Sequence, residues 1–384
     1  MEGGAKNKPR NLANEKMIYK DFRLNSKNWE VLSALKQKSR IPNAILFHGD
    51  EGIGKEAYAI EFASFLNCEN ISNLSYACRE CLSCKKIINN NHEYLHYIFP
   101  LPRGKISSKK DDISKAFNDK TLSSYSDQIN LKLERPYHKI NIDGANTILI
   151  NSIRSIKKKI FRTTSNQAWQ VILIFNAEKL CFPNQEAANS LLKVLEEPPS
   201  RTIFILVTSK NDLLLDTIKS RCIEFFFSKP SNEDLQQKKE SIDIYSLVNG
   251  NMNIVSDLKD EDINKISTFL NLYNNCIKES DKTMVTKLVS SLEKLAKSNN
   301  LLFNVYINVL KNYYRDLAIT KINSESSELS FFFLKDDYSI INEKEKTLNW
   351  DDCIDNIYKF EQDIELNSNL TLALFNLFNN IGFK

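Results

Sequence analysis

Through the first half of the chain, apolar residues arrive in short unbroken runs, separated by stretches in which they recur every three or four positions. Ala44–Phe47, Val171–Phe175 and Ile203–Val207 are the unbroken runs, the pattern of parallel strands buried on both faces. The first run passes through a glycine-rich turn into helical spacing at Ala57, Ile60, Phe62, Ala63, Phe65 and Leu66, and helical patterns return at Ile148–Ile160 and Glu186–Leu195. Strands alternating with helices predict an α/β domain built on a mostly parallel sheet. Pro100–His138 is poor in apolar residues and rich in Lys, Ser and Asp, which predicts an insertion of long, partly mobile loops.

After Arg221 the apolar run Ile223–Phe227 stops short of Pro230, and Ser231 followed three residues later by Asp234 resembles a capping box opening a small helical segment. From about Glu261 the period is helical to the end: Ile266, Phe269, Leu270 and Tyr273, then Leu288, Leu292 and Leu295, Leu302, Val305, Val309 and Leu310, and finally Ile357, Phe360, Ile364, Leu372, Leu374, Leu377 and Phe378. This predicts a helical bundle. The polar interruption Ser324–Lys346, with its apolar cluster Leu329–Leu334, reads as an inter-helix loop pinned by aromatic side chains. No internal repeat emerges. Three parts follow from this pattern: 1–226, a short segment 227–258, and a helical 259–384.

Composition changes this picture little. With 42% apolar and 26% charged residues in 384, the chain is that of a globular protein large enough for several cores. No stretch approaches the roughly 18 uninterrupted apolar residues of a membrane span. Met1 to Lys20 is polar and lysine-rich without the apolar centre of a secretory signal, so a cytoplasmic location is expected. Fifty-two basic and 48 acidic side chains, a net charge of +4, are interspersed as on an ordinary solvated surface and do not by themselves indicate nucleic acid. Of eight cysteines, four crowd between Cys68 and Cys84 while Cys181, Cys222, Cys276 and Cys353 are dispersed. That is a poor plan for a disulfide framework and a better one for a metal in a reducing compartment.

Gly49-Asp50-Glu51-Gly52-Ile53-Gly54-Lys55 lies between a strand and a helix, the context in which backbone amides and a lysine surround phosphates. The alternative is a glycine-rich turn without a ligand. Glu56 stands where a Ser or Thr hydroxyl would hold magnesium, and a carboxylate there repels phosphate oxygens. The strand Val171–Ile174 runs into Phe175 and Asn176, where an active site of this kind needs an Asp for the metal and a Glu to prime water. Three losses at one site predict that the chain does not hydrolyse ATP. Glu178, two residues beyond the base position, reads as a surface or interface carboxylate rather than a substitute base.

The stretch from Asn184 to Pro199, containing Asn189-Ser190-Leu191-Leu192-Lys193 and Glu196-Glu197-Pro198-Pro199, resembles the segment that follows the second carboxylate strand in the AAA+ subunits of bacterial clamp loaders, and Ser220-Arg221-Cys222 resembles their Ser-Arg-Cys motif. Cys68-x9-Cys78-x2-Cys81-x2-Cys84 resembles the zinc module inserted in the γ, τ and δ′ types. The resemblance covers about residues 40–225. It implies an AAA+ fold, with the zinc module at 68–84 and the insertion at 100–138 in domain 1–226, a small helical lid at 227–258 and an all-α collar at 259–384. It also implies that Arg221 reaches a neighbouring subunit's ATP as an arginine finger, a task suited to a permanently charged planar fork, although Arg221 also reads as the partner of a local carboxylate. Cys68, Cys78, Cys81 and Cys84 would hold a structural Zn²⁺, with no open position for water, and Arg79, Lys85 and Lys86 would offset the thiolate charge. Disulfides or free thiols are the other reading.

The degenerate site points to the δ′ type. The resemblance then implies a non-hydrolysing member of a hetero-oligomer with τ/γ and δ that loads the sliding clamp on primed DNA as part of DNA polymerase III. Gly49, Gly52, Gly54 and Lys55 would keep the phosphate loop, with ATP or ADP binding left open. The lid stretch Asn249-Gly250-Asn251-Met252-Asn253 has no arginine, Leu215 stands where proline is common, and Pro100–His138 is long for the family. Thr208 and Ser209, in the family's sensor region, read as structural, and His48, His92 and His96 as packed rather than ligating. Two rival readings remain: an active γ/τ-type ATPase or nucleotide kinase, and a zinc-dependent nucleic-acid-binding module on a vestigial ATPase fold.

Overall fold

A computed structural model describes Tyr19, Phe22 and residues 26–70, 76–162, 168–228, 247–248, 250–279, 284–323, 329–345, 349–365 and 369–381. The chain divides into two compact units, Met1–Lys229 and Pro230–Lys384. The capping box at Ser231 and Asp234, most of Met1–Lys20, and Asn249 lie outside the described residues.

The first unit is built on strands β1 (Ala44–Gly49), β2 (Leu95–Ile98), β3 (Gln170–Phe175), β4 (Thr202–Thr208) and β5 (Ile223–Phe227). They form one sheet in the order β2-β3-β4-β1-β5, and every pairing is parallel, with Ile45 opposite both Ile205 and Ile223. Successive side chains of β1, β3 and β4 enter two different cores. Ile45, Phe47, Leu173, Phe175, Ile205 and Val207 join one, whereas Leu46, Ile172, Ile174, Phe204 and Leu206 join the other. Burial on both faces explains why these strands read as unbroken apolar runs. β2, with only Leu, His, Tyr and Ile, carried no such signal.

Helices α1 (Ser26–Gln37), α2 (Lys55–Asn67), α3 (Leu82–Ile88), α4 (Asp119–Glu134), α5 (Ile150–Arg162), α6 (Glu186–Glu196) and α7 (Asp216–Lys219) complete the unit. α2 is buried almost all round. This is the place of a helix that follows the interior strand β1, between β4 and β5, and supports a loop at its carboxyl end, where open α/β sheets bind ligands.

α4 corrects the expectation of loops throughout Pro100–His138. The Asn118 side chain accepts a hydrogen bond from the Thr121 N–H and caps the 16-residue helix, which buries Ile129, Lys132 and Leu133. Leu122, Tyr125, Ile129 and Leu133 recur at three and four positions, so the period was present beneath a polar composition.

The second unit comprises α8 (Met252–Asp257), α9 (Asp260–Glu279), α10 (Met284–Ser298), α11 (Asn300–Ile322), α12 (Lys335–Lys344), α13 (Trp350–Glu365) and α14 (Leu370–Asn380), packed on a core that also takes Leu247 and Val248. The bundle is as its periodicity predicts, except that α12 occupies much of the expected loop Ser324–Lys346. The described part of that loop is pinned as anticipated, with Phe331 and Leu334 buried. The anchor is the buried Asp316 carboxylate, which accepts the Ser330 and Phe331 N–H groups at 3.1 and 2.8 Å.

Burial raises the Asp316 pKa from 3.8 to about 6, against the lowering effect of the Phe331 and Ser330 N–H groups and of Arg315. The native state therefore holds this proton more tightly than the unfolded chain. Its stabilising contribution is complete below pH 3.8 and is lost as pH rises through about 6. Urea unfolding of the chain followed by a probe in this unit should show that decline, and Asp316→Asn should remove it; an unchanged slope in the variant would refute the assignment.

Candidate functional site

The glycine-rich loop leaves the carboxyl end of β1 and enters α2 at Lys55. Gly54 has φ 85°, and a Cβ there would stand 2.5 Å from Phe22 Cε2 and 3.1 Å from Tyr137 Cε1, so only glycine fits. Gly49, at φ 134°, lies so close to β5 that a Cβ would fall 2.0 Å from the Phe227 carbonyl oxygen. Gly52 also has positive φ, 75°. With φ positive at all three glycines, Gly49 holds the loop close against β5 and Gly54 holds it against Phe22.

Its lysine, however, is turned inward. Lys55 is 5% exposed, and its Nζ donates to the carbonyl oxygens of Gly49 (2.8 Å) and Asp50 and to Ser209 Oγ (3.1 Å). Burial pulls its pKa down to about 8, opposed by Glu56, Glu51, Asp50 and Glu178. Glu56, at the metal-ligand position, pairs with Lys132 of α4 at 2.6 Å. Lys132 is 2% exposed, and its Nζ also donates to the Pro136 and His138 carbonyls at 3.0 and 2.6 Å. Lys139 pairs with Glu51 across the loop.

The far carboxylates are absent in space as in sequence. Phe175 is fully buried, its ring 6.1 Å from that of Tyr97, and Asn176 adopts φ 53°, a left-handed conformation that asparagine tolerates. Glu178 is not a surface carboxylate. It is 8% exposed and accepts the Thr208 hydroxyl at 2.6 Å, because the turn after β3 folds it back against the end of β4. Thr208 is thereby structural, whereas Ser209 touches Lys55. In this arrangement the groups that would receive a magnesium-bound phosphate are already engaged within the chain, so the residues do not fit that ligand.

The helix α6 ends ahead of Pro198, and the chain re-enters the sheet as β4. α7 then delivers Arg221. Leu215, which precedes α7, has φ −63°, the value a proline would hold, so the backbone is kept without it. Arg221 Nη1 donates to the Thr217 carbonyl and Nη2 pairs with Glu196 Oε1, both at 2.8 Å, with the two side chains 36% and 51% exposed. Cys222 beside it packs toward the α5–α6 core.

Cys68, Cys78, Cys81 and Cys84 bring their four Sγ atoms within 4.8 Å of one another. Tetrahedral zinc with bonds of about 2.3 Å spaces its sulfurs by about 3.8 Å, so this donor set fits the metal. Backbone N–H groups of Cys78, Cys81 and Cys84 point at Cys68, Cys78 and Cys81 Sγ at 3.3, 3.3 and 3.4 Å, and Ser64 Oγ lies 3.7 Å from Cys84 Sγ. Such donors stabilise thiolates. None of the eight cysteines is in a disulfide. Lys36 is a cation that the sequence did not suggest near the cluster: burial lowers its pKa, and Cys68, Cys84 and Cys81 act to raise it. Lys86 instead pairs with Glu93 at 3.0 Å.

The histidines are packed as expected. His48 Nε2 lies 3.3 Å from Glu224 and His92 Nε2 3.0 Å from Ser83 Oγ, while burial and Lys159 push His96 down to about 3. Among the described residues no helix is long and apolar enough to cross a membrane.

Known proteins bear on this arrangement. The tau subunit of DNA polymerase III from Bacillus subtilis (strain 168) is 28% identical over 275 residues, 69% of this chain and 40% of that protein. The delta' subunit from Buchnera aphidicola subsp. Baizongia pistaciae is 25% identical over 192 residues, 50% of this chain and 46% of that protein. The chain thus spans less than half the length of these relatives. A DNA polymerase III gamma subunit-related protein from Thermotoga maritima superposes with a TM-score of 0.41 at 17% identity, covering 93% of this chain and 99% of that one. Residues 24–231, more than half of the chain, match the family described as DNA polymerase III, delta subunit, and the chain belongs to that family of clamp-loader AAA+ subunits.

Proposed function

We propose that this protein is the δ′-type member of a clamp loader: a subunit that hydrolyses no ATP itself and lends Arg221 to the nucleotide site of a neighbour. The observation that carries the reading is the phosphate loop closed from within, Glu56 held by Lys132 at 2.6 Å and Lys55 bound to its own loop carbonyls. Buried Phe175 in place of a metal-binding carboxylate supports it. The relatives include both tau and delta' subunits, so the choice between types rests on these residues rather than on likeness.

Arg221 suits the role because its present partner is weakly held. A half-exposed pair such as Arg221–Glu196 contributes about 0–1 kcal/mol, and a phosphate offers the guanidinium a stronger, bidentate acceptor. The four-cysteine module is read as a structural Zn²⁺ site, since protein sulfurs fill all four positions. The partners would be τ/γ- and δ-type subunits, joined through the helical second unit as a collar, whose core also takes Leu247, Val248 and α8 of the expected lid 227–258, with the sliding clamp and primed DNA engaged by the assembly.

Reconstitution with an active τ/γ-type partner tests this. Arg221→Ala should leave assembly intact and lower the DNA-stimulated ATPase by about a thousandfold at the site it serves, the lower edge of what arginine fingers supply; an unchanged rate in an intact assembly would refute the finger. Arg221→Lys should not rescue, because an ammonium lacks the planar fork.

A further inference from the structure

The insertion is fastened to the phosphate loop at successive points. Lys139, the residue after the insertion, pairs with Glu51, the Tyr137 ring stands 3.1 Å from where a Cβ on Gly54 would lie, and Lys132 holds Glu56 at 2.6 Å. The fastening is itself supported: Tyr19 Oη donates to the Lys132 carbonyl at 2.8 Å, the Tyr19 N–H reaches buried Glu61 of α2 at 2.9 Å, and Phe22 packs edge-on to both Tyr58 and Tyr137.

We propose that Lys132 is the loop's built-in cation. It supplies the positive charge that a metal ion would bring to this position, clasps the α4 segment over the loop, and commits the pocket to a nucleotide-free state.

The charges account for the closure. The loop and its clasp carry Asp50, Glu51 and Glu56 against Lys55, Lys132 and Lys139, and buried Glu178 also acts on Lys55, so the cations are already matched by carboxylates with no ligand present. A nucleotide's phosphates would add several negative charges beside carboxylates already balanced. They would also have to take Lys55 from its carbonyl partners and Lys139 from Glu51. Lys132 cannot be lent outward either, since Glu56 and the Pro136 and His138 carbonyls occupy its Nζ. α4 then has a purpose that its place in the sequence did not suggest: the insertion stands in for the ligand of the loop it covers. The inference rests on the non-hydrolysing reading of this loop and is independent of what Arg221 does.

The test uses the full chain, fluorescently labelled ADP with magnesium, and hydrogen exchange. The wild type should show no saturable binding at millimolar nucleotide and no nucleotide-dependent protection in 49–56 or 128–139. Lys132→Met should speed exchange across 119–142 while nucleotide still fails to bind, because Glu56 is left facing the pocket. Glu56→Thr/Lys132→Met, which removes both charges and restores a hydroxyl, should bind labelled ADP at least about tenfold more tightly than the wild type. Wild-type binding equal to that of the double variant would overturn the proposal. So would unaltered exchange in Lys132→Met. Should the double variant fail to fold, the wild-type exchange experiment decides alone, with protection on adding Mg·ADP counting against the clasp. Wild-type nucleotide binding combined with an intact Arg221→Ala effect on a partner would sink the clasp and leave the proposed function standing.

Discussion

Cys84→Ser is expected to strip the chain of one bound zinc and to destabilise the first unit by about 4 kcal/mol or more, the scale reached when a structural metal is lost. Cys84 is fully buried, and α3 starts on the cluster, with Cys81 as its N-cap accepting the Cys84 N–H through Sγ. The module has little apolar core of its own: Ala77, Cys84 and Ile87 are buried, and Tyr76 stacks on Trp29 at 5.7 Å. Without metal, four closely set thiols have nothing to hold them, so much of the segment's folding free energy is metal-binding free energy. Elemental analysis should give one zinc per wild-type chain and none for the variant. A strong chelator should bring the wild-type denaturation midpoint down to that of Cys84→Ser. A zinc-free wild type of unchanged stability would show that the cluster is ornamental.

Phe175→Asp is expected to cost about as much, again about 4 kcal/mol or more, and to yield no ATPase even when combined with Asn176→Glu. The position is where an active relative would keep its magnesium carboxylate, yet here it is part of the apolar layer between the sheet and α2. The substitution removes a buried aromatic ring, worth about 3–5 kcal/mol when truncated to Ala, and adds a carboxylate with no cation reserved for it, a further penalty of several kcal/mol. Phe175→Leu separates the two effects, since a smaller apolar side chain should cost only about 1–2 kcal/mol. Chemical denaturation of the three proteins measures this. A Phe175→Asp variant as stable as the Leu control would mean that the end of β3 is wetter than its burial implies and that the catalytic loss is shallow.

Both expectations concern sites visible in the primary structure, but for different reasons. The four-cysteine cluster is readable as a candidate metal site because thiol chemistry and a Cys-x2-Cys-x2-Cys spacing over 78–84 leave few alternatives. The phosphate loop is readable because backbone with positive φ at Gly49, Gly52 and Gly54 restricts the residue type. The losses at Glu56, Phe175 and Asn176 are readable as departures from that pattern. β2 was missed because four residues with one polar member give no period, and α4 because its apolar stripe is diluted by Lys, Ser and Asp, although Asn118 marks its start.

The residues that decide the state of the site were less accessible. Lys132 reads as one more helical lysine, and Glu178 as one more carboxylate after a strand. Burial changes both, since a charge or polar group withdrawn from water must find a partner, and that partner is chosen by whatever the fold brings alongside. For Lys132 it is Glu56 on another helix, and for Glu178 it is Thr208 at the end of a neighbouring strand. Arg221 falls between these cases: its motif is local, while its resting contact with Glu196 depends on how α7 meets the end of α6.

The sequence alone determined the parallel α/β sheet, the helical second half, the cluster of four cysteines and the replacement of a hydroxyl and two carboxylates by Glu56, Phe175 and Asn176, because each depends on residue type and short-range spacing. Only the tertiary structure decided which charges neutralise one another and what closes the phosphate loop, because electrostatic pairing in a buried site is set by distance in space, and distance along the chain carries no record of it.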